Sequence, residues 1–330
     1  MVDRNNRGMP ANWLSTISHQ PSTNLASAAR PVLLLALGFW GLRAGAVSFT
    51  LIPSADTSLI EIAPTNNNGG QAWLLSGKIQ NDVYRDRALM KFDFSALPTN
   101  TIILSAVVTL EVTRQPGDGL ANAPFGLYRM LRPWGEGDKV ATTIPGQGLP
   151  ATAGEATWRH AFFPTNEWTV PGGASGVDFS DIESSFQFIY GTGQSPYRFE
   201  STPELVADVQ SWVNNPQSND GWMLLDDDET TAFTARRFGS REDPNAPPLL
   251  EIEYFVPPSI AAASRAGDQF HLNFTAWPGQ SYTVEYRDSL SAGVWQTLTN
   301  LGLATNATPV AITDIVNGPQ RYYRVVSFQP

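Results

Sequence analysis

The sequence predicts an all-β protein: a large antiparallel β-sandwich followed by a smaller one. Apolar residues recur at every second position over short runs, and 27 glycines and 25 prolines in 330 residues punctuate those runs. The long amphipathic helices that a parallel α/β sheet needs between its strands are missing.

In chain order, Arg4, Arg7 and Arg30 precede an apolar run over 31–42, and Ala44-Gly45-Ala46 follows as a small-residue cleavage site. This pattern predicts a signal peptide over 1–46, cut after Ala46, because about twelve apolar residues fall short of the ~20 that span a bilayer as a helix. The mature chain is expected to be soluble, secreted or at the cell surface, with no membrane insertion after cleavage. The large domain is expected over 47–256. Ala88, Met90, Phe92 and Phe94 share one strand face, and Arg87, Leu89, Lys91 and Asp93 share the other, as in a half-buried strand. Val108, Leu110 and Val112 alternate with Val107, Thr109 and Glu111; Leu250, Ile252 and Tyr254 alternate with Glu251 and Glu253.

One helix is predicted. Thr202 caps it, Pro203 suits its first position, Leu205, Val209, Trp212 and Val213 share a face, and Asn214-Asn215-Pro216 ends it. Pro257-Pro258 and an alanine triplet then predict a linker over 257–263, since proline cannot donate to a continuing ladder. Beyond it, alternating runs over 270–274, 281–286, 294–298 and 322–326 predict a small β domain over 264–330.

The net charge is −10. Without residues 1–46 there are 17 basic and 30 acidic residues, a charge of −13 that lies entirely before Ser259. Such a surface repels nucleic acid and anionic lipid at long range. Zero cysteines exclude disulfides and thiolate metal sites. After the leader the only histidines are His160 and His271, in different predicted domains, so a histidine zinc site or a Ser-His-Asp triad within one domain lacks its parts. No Walker loop, nucleophile elbow or dinucleotide fingerprint occurs. Paired carboxylates of a glycosidase are recognised by separation in space, which the sequence does not contain.

The cations are few and clustered. Lys78, Arg85, Arg87 and Lys91 lie close in sequence, and Arg236, Arg237 and Arg241 form a second group. Arg87 and Lys91 share a strand face about 13 Å apart at ~3.3 Å per residue, enough to span more than one sugar unit. Arginine grips a carboxylate through two parallel hydrogen bonds. Tyr84 lies inside the cluster and Trp73 before it, offering rings on which sugars stack. The same cations can instead neutralise Asp82, Asp86 and Asp93. No cofactor is required, and calcium is the one the acidic residues admit: Asp226 and Asp228 in the densest acidic run, and Asp56. The run lacks the ordered glycine and terminal glutamate of an EF-hand loop, so a solvated turn competes. Trp73, Trp134, Trp158, Trp168 and Trp222 are open between platform and core; Trp212 is expected to be core.

Four segments carry a family resemblance: Arg87-Ala88-Leu89-Met90-Lys91-Phe92-Asp93-Phe94, Trp134-Gly135-Glu136-Gly137-Asp138, Ala156-Thr157-Trp158, and Pro247-Pro248-Leu249-Leu250-Glu251-Ile252-Glu253-Tyr254. In that order and spacing they resemble the DNRLRE-type modules (carbohydrate-binding module family 96), secreted bacterial β-sandwiches that include alginate binders. The resemblance covers 54–254, with Ala55-Asp56-Thr57 as the opening strand and Ser240-Arg241-Glu242 beginning the closing hairpin. The literal DNRLRE string is absent, and the insertion over 161–200 is longer than the family pattern. The resemblance implies a jelly-roll-like sandwich with a short helix across one end. The tail looks like the small immunoglobulin- or fibronectin-like modules of secreted bacterial proteins.

Together these readings predict a secreted, non-catalytic carbohydrate-binding protein, with an acidic polysaccharide as partner and Lys78, Tyr84, Arg85, Arg87 and Lys91 as the binding residues. A structural or adhesive surface protein without a sugar ligand is the alternative, and a polysaccharide lyase or hydrolase the third reading. Reversing the charges of Arg87 and Lys91 together is expected to leave the thermal midpoint little changed.

Overall fold

The alternation around Phe92 becomes the strand Arg85–Phe92, which pairs antiparallel with Pro53–Ile60, Trp73–Lys78 and Trp222–Asp226. The computed structural model describes residues 47–79, 83–117 and 119–328; the predicted signal peptide lies outside the described residues. Strand makes up 47% of the described residues and helix 7%, so the all-β expectation holds. No described helix is long and apolar enough to cross a membrane.

The central strand belongs to an eight-stranded antiparallel sheet that runs from Phe179–Ile189 through Ala123–Met130, Trp222–Asp226, Arg85–Phe92, Trp73–Lys78 and Arg236–Gly239 to Val112–Arg114. A four-stranded sheet faces it, in the order Val47–Leu51, Leu249–Phe255, Ile102–Leu110, Tyr197–Phe199. Ala88, Met90 and Phe92 from the first sheet and Val108, Leu250 and Ile252 from the second meet in one hydrophobic cluster, the core of a sandwich. The chain changes sheets at Glu111. Val108, Leu110 and Val112 all reach the core, yet the first two lie in the four-stranded sheet and Val112 in the eight-stranded one.

The helix forms as its sequence dictates, over Pro203–Asn214, with the Thr202 hydroxyl accepting the Leu205 N–H at 3.0 Å. Its buried face presents Leu205, Val209, Trp212 and Val213. Trp212 is fully buried and meets Trp222 edge to face, with ring centroids 4.5 Å apart. Asp208 on the same face accepts from the Trp222 indole at 2.9 Å and the Ser184 hydroxyl at 2.6 Å, which supplies the partners a buried carboxylate needs.

The central strand is not half-buried. Leu89 and Met223, on the face opposite the main core, join Ala156, Trp158, Ala161, Trp168 and Phe179 in a second cluster. That cover comes from residues 156–179, which pack over this face of the sheet. Gly172, at φ +87°, runs so close to Trp158 that a Cβ there would lie 2.7 Å from the indole. The covered face is the one expected to present Arg87 to solvent.

The tail contains two three-stranded antiparallel sheets, Ile260–Ala266, Gln269–Ala276, Thr308–Ile315 and Gln296–Leu301, Ser281–Arg287, Tyr322–Phe328. Its cluster draws all its members from 260–325, with Phe270 stacked on Tyr323 at 4.0 Å. The alanine triplet is not linker, because Ile260–Ala266 forms a full hairpin partner of Gln269–Ala276. Small side chains concealed a strand whose identity rests on backbone pairing.

Candidate functional site

The first cation cluster is a closed ion network. Arg87 is 8% exposed; its Nε and Nη2 grip the Glu229 carboxylate at 2.7 and 2.8 Å, and its Nη1 donates to the carbonyls of Gly172 and Gly173 at 2.8 and 3.2 Å. Arg85 grips Glu61 at 3.0 and 2.9 Å and reaches Glu229 at 3.1 Å. Burial by itself would raise Glu61, but the Arg85 hydrogen bonds outweigh it and hold the carboxyl below its usual range. Both guanidinium groups lie over the Trp158 ring, 5.4 and 5.6 Å from its centre. The expected role of Arg87 as an exposed sugar-binding group is therefore corrected: Trp158, Gly172, Gly173 and Phe179 pack over it, and Glu229 from the acidic run neutralises it. Its carboxylate partner is Glu229, and that of Arg85 is Glu61 as well as Glu229, rather than Asp86 or Asp93, which lie nearer in sequence.

The other expected residues sit around that network. The Lys78 ammonium donates to the Thr230 carbonyl at 3.1 Å, Tyr84 is half-buried, and Lys91 is half-buried four residues along the strand. Asp226 and Asp228 belong to no group of three carboxylate or histidine ligands among the described residues. Asp226 is buried, accepts from the Thr234 hydroxyl and the Asp228 N–H, and is raised by burial to about 6; Asp228 accepts from Thr230 and Thr231. They organise a turn. Trp158, Trp168 and Trp222 are core, Trp134 donates to the Asp220 carbonyl, and Trp73 is half-buried.

The second cation group divides three ways. Arg236 is buried, donates to the carbonyls of Tyr190, Thr234 and Ala121 at 2.7 Å each, and is pushed down to about 10 by burial. Arg241 joins an acidic cluster. Arg237 remains beside a cavity.

That cavity, of 480 Å³, lies at the far end of the eight-stranded sheet. Ile62, Leu75, Ile79 and Ile144 give it apolar walls, and Asp86, Arg114, Gln115, Gln147 and Arg237 contribute polar groups. Arg114 and Arg237 are direct cross-strand partners, a like-charge pairing that disfavours the sheet. Burial, and then the Arg114 charge, push the Arg237 guanidinium below its usual range. Among the described residues neither arginine has a carboxylate partner, in a chain where acids far outnumber bases. Trp73 supports Arg237, its ring centre 4.5 Å from the guanidinium carbon, and the buried Trp73 indole N–H has no acceptor among the described residues. Asp86, 5% exposed, also lines the cavity, and burial, with the Glu61 charge adding to it, pushes its carboxyl up to about 8.

Asp56 lies at a different place, with Glu136 and Glu242. Burial raises its carboxyl well above the ordinary range; the Arg241 N–H opposes that, and the charges of Glu242 and Glu136 add to it.

No family model matches this chain. Nor does any curated protein. What the sites do chemically is therefore argued from their geometry.

Sequence reasoning missed Arg114, which stands alone in sequence, and the pairing of Arg237 with it across two strands 123 residues apart. Glu136 and Glu242 were each singled out in the sequence, in Trp134-Gly135-Glu136-Gly137-Asp138 and in Ser240-Arg241-Glu242, but nothing in their spacing joined them to Asp56.

Proposed function

We propose that this chain is a secreted, non-catalytic carbohydrate-binding protein whose ligand is an acidic polysaccharide, taken at Arg114 and Arg237 rather than at the first cation cluster. The observation that carries the reading is the pair of guanidinium groups at the cavity, which has no carboxylate partner among the described residues. Two like charges in direct cross-strand register are unfavourable without an anion between them, and a uronate carboxylate fits two forked donors. The cavity has the volume of a small-ligand site, and its apolar walls with Gln115 and Gln147 suit a sugar ring, which presents C–H faces and hydroxyls. The long-range field of an acidic protein opposes a polyanion, but at physiological salt it is screened within ~8 Å, so short charge-assisted bonds decide binding. Affinity is accordingly expected to be modest and to weaken with salt.

The test is affinity electrophoresis through gels containing a polyuronate such as alginate, with a neutral glucan as control. The wild-type chain is expected to be retarded by the polyuronate alone. Arg114→Glu with Arg237→Glu should lower that affinity on the order of 100-fold, since each charged hydrogen bond contributes roughly 1.5–3 kcal/mol. Unaltered retardation of the double variant would remove these residues from the role.

A further inference from the structure

Asp56, Glu136 and Glu242 come from remote parts of the chain. Asp56 lies on the strand Pro53–Ile60, Glu136 in the loop after Ala123–Met130, and Glu242 in the turn after Arg236–Gly239. One carboxylate oxygen from each lies within 4.8 Å of the others. That is the span of two oxygens on opposite sides of one calcium ion at about 2.4 Å from each.

A second observation is independent of the clustering. Asp56 is 1% exposed, and while its Oδ2 accepts the Arg241 backbone N–H at 2.8 Å, its Oδ1 is buried with no partner among the described residues. Buried carboxylate oxygens without a donor are rare because desolvation is costly. Arg241 does not answer it: from an exposed position its Nε reaches Glu136 at 2.5 Å and Glu242 at 2.9 Å. Three carboxylates against one guanidinium leave a charge of −2 when all are ionised, which a divalent cation balances.

The loop that carries Glu136 is fixed in advance. The Asn67 amide donates to the Glu136 carbonyl at 2.7 Å, the Glu136 carboxylate accepts the Asp56 N–H at 2.8 Å, and Gly69 passes so near that a Cβ there would lie 2.3 Å from the Glu136 carbonyl oxygen. A donor set of oxygens without nitrogen or sulfur selects a hard cation, and a site built from three separate segments suits the flexible coordination of calcium better than the strict octahedron of magnesium. We propose that Asp56, Glu136 and Glu242 hold a calcium ion that ties the opening strand and the Glu136 loop to the turn leading into the closing strand.

The experiment is calorimetric titration of the EDTA-treated full chain with calcium chloride, paired with thermal melts. A single saturable site is expected, and free calcium 100-fold above its Kd should raise the midpoint by roughly 5–10 °C. Asp56→Asn should abolish both the heat and the shift, while Asp226→Asn with Asp228→Asn, in the other acidic run, should keep both. Should Asp56→Asn fail to fold, Glu242→Gln, at a partly exposed position, carries the same expectation. Absence of heat and shift in the wild type overturns the proposal, as does calcium binding that survives in a folded Asp56→Asn or Glu242→Gln chain.

Discussion

Arg87→Ala is expected to destabilise the chain by about 3–5 kcal/mol, the cost of removing one partner from a buried, doubly hydrogen-bonded ion pair. The loss has three parts. Glu229 keeps only its single contact with Arg85, the carbonyls of Gly172 and Gly173 lose their donor, and Trp158 and Phe179 lose the cation packed against them. Lysine does not substitute, because a single ammonium cannot hold a carboxylate in two parallel bonds and also reach two carbonyls. Lys91→Glu, at a half-buried position on the same strand, should change stability by less than about 1 kcal/mol. Reversing both charges is thus expected to unfold a large fraction of the molecules, the reverse of the expectation from an exposed strand face. Urea denaturation of the two single variants separates these contributions; equal and small effects would mean that the Arg87 network is not the anchor of residues 156–179.

Asp86→Asn is expected to stabilise the protein increasingly as pH rises. Burial, with the Glu61 charge, pushes the folded Asp86 carboxyl up to about 8, against about 3.9 in an unfolded chain. Below pH ~4 both states hold the proton, and between ~4 and ~8 only the folded state does. Stability therefore falls through that window, by up to about 1.4 kcal/mol per pH unit, and the fall ends above ~8 where both states are ionised. Asparagine removes this contribution. The stability difference between variant and wild type should grow by on the order of 5 kcal/mol from pH 4 to 8 and then level off. Asp56, Asp208 and Asp226 are raised as well, but they contribute to both proteins and cancel in the difference. Parallel stability curves across that range would show Asp86 already ionised.

The strands and the helix could be read from the sequence because each rests on local periodicity: Ala88 to Phe92, Val108 to Leu110, Leu250 to Tyr254 and Thr202 to Asn214 all declare their buried face. The second face of the central strand could not. Leu89 beside Arg87 and Lys91 looks like a solvated face until Trp158, Trp168 and Phe179 are brought over it, and that placement depends on how residues 156–179, remote in sequence, pack on the sheet. The same limit governs the sites. Arg85, Arg87 and Glu229 form one network although their sequence segments looked like separate basic and acidic clusters. Arg114 and Arg237 became a pair through sheet pairing alone. Asp56 was visible as a candidate ligand, whereas Glu136 and Glu242 were visible only as parts of motifs, since three carboxylates on three remote segments share no spacing.

Which guanidinium groups meet an acidic sugar is decided by following the arginine Nε–Hε resonances of the 15N-labelled chain during titration with an oligouronate. The resonances of Arg114 and Arg237 are expected to shift saturably while those of Arg85 and Arg87, locked on Glu61 and Glu229, stay in place. Saturable shifts at Arg85 or Arg87 with none at Arg237, or no saturable shift at any arginine, would contradict the assignment of the cavity as the sugar site.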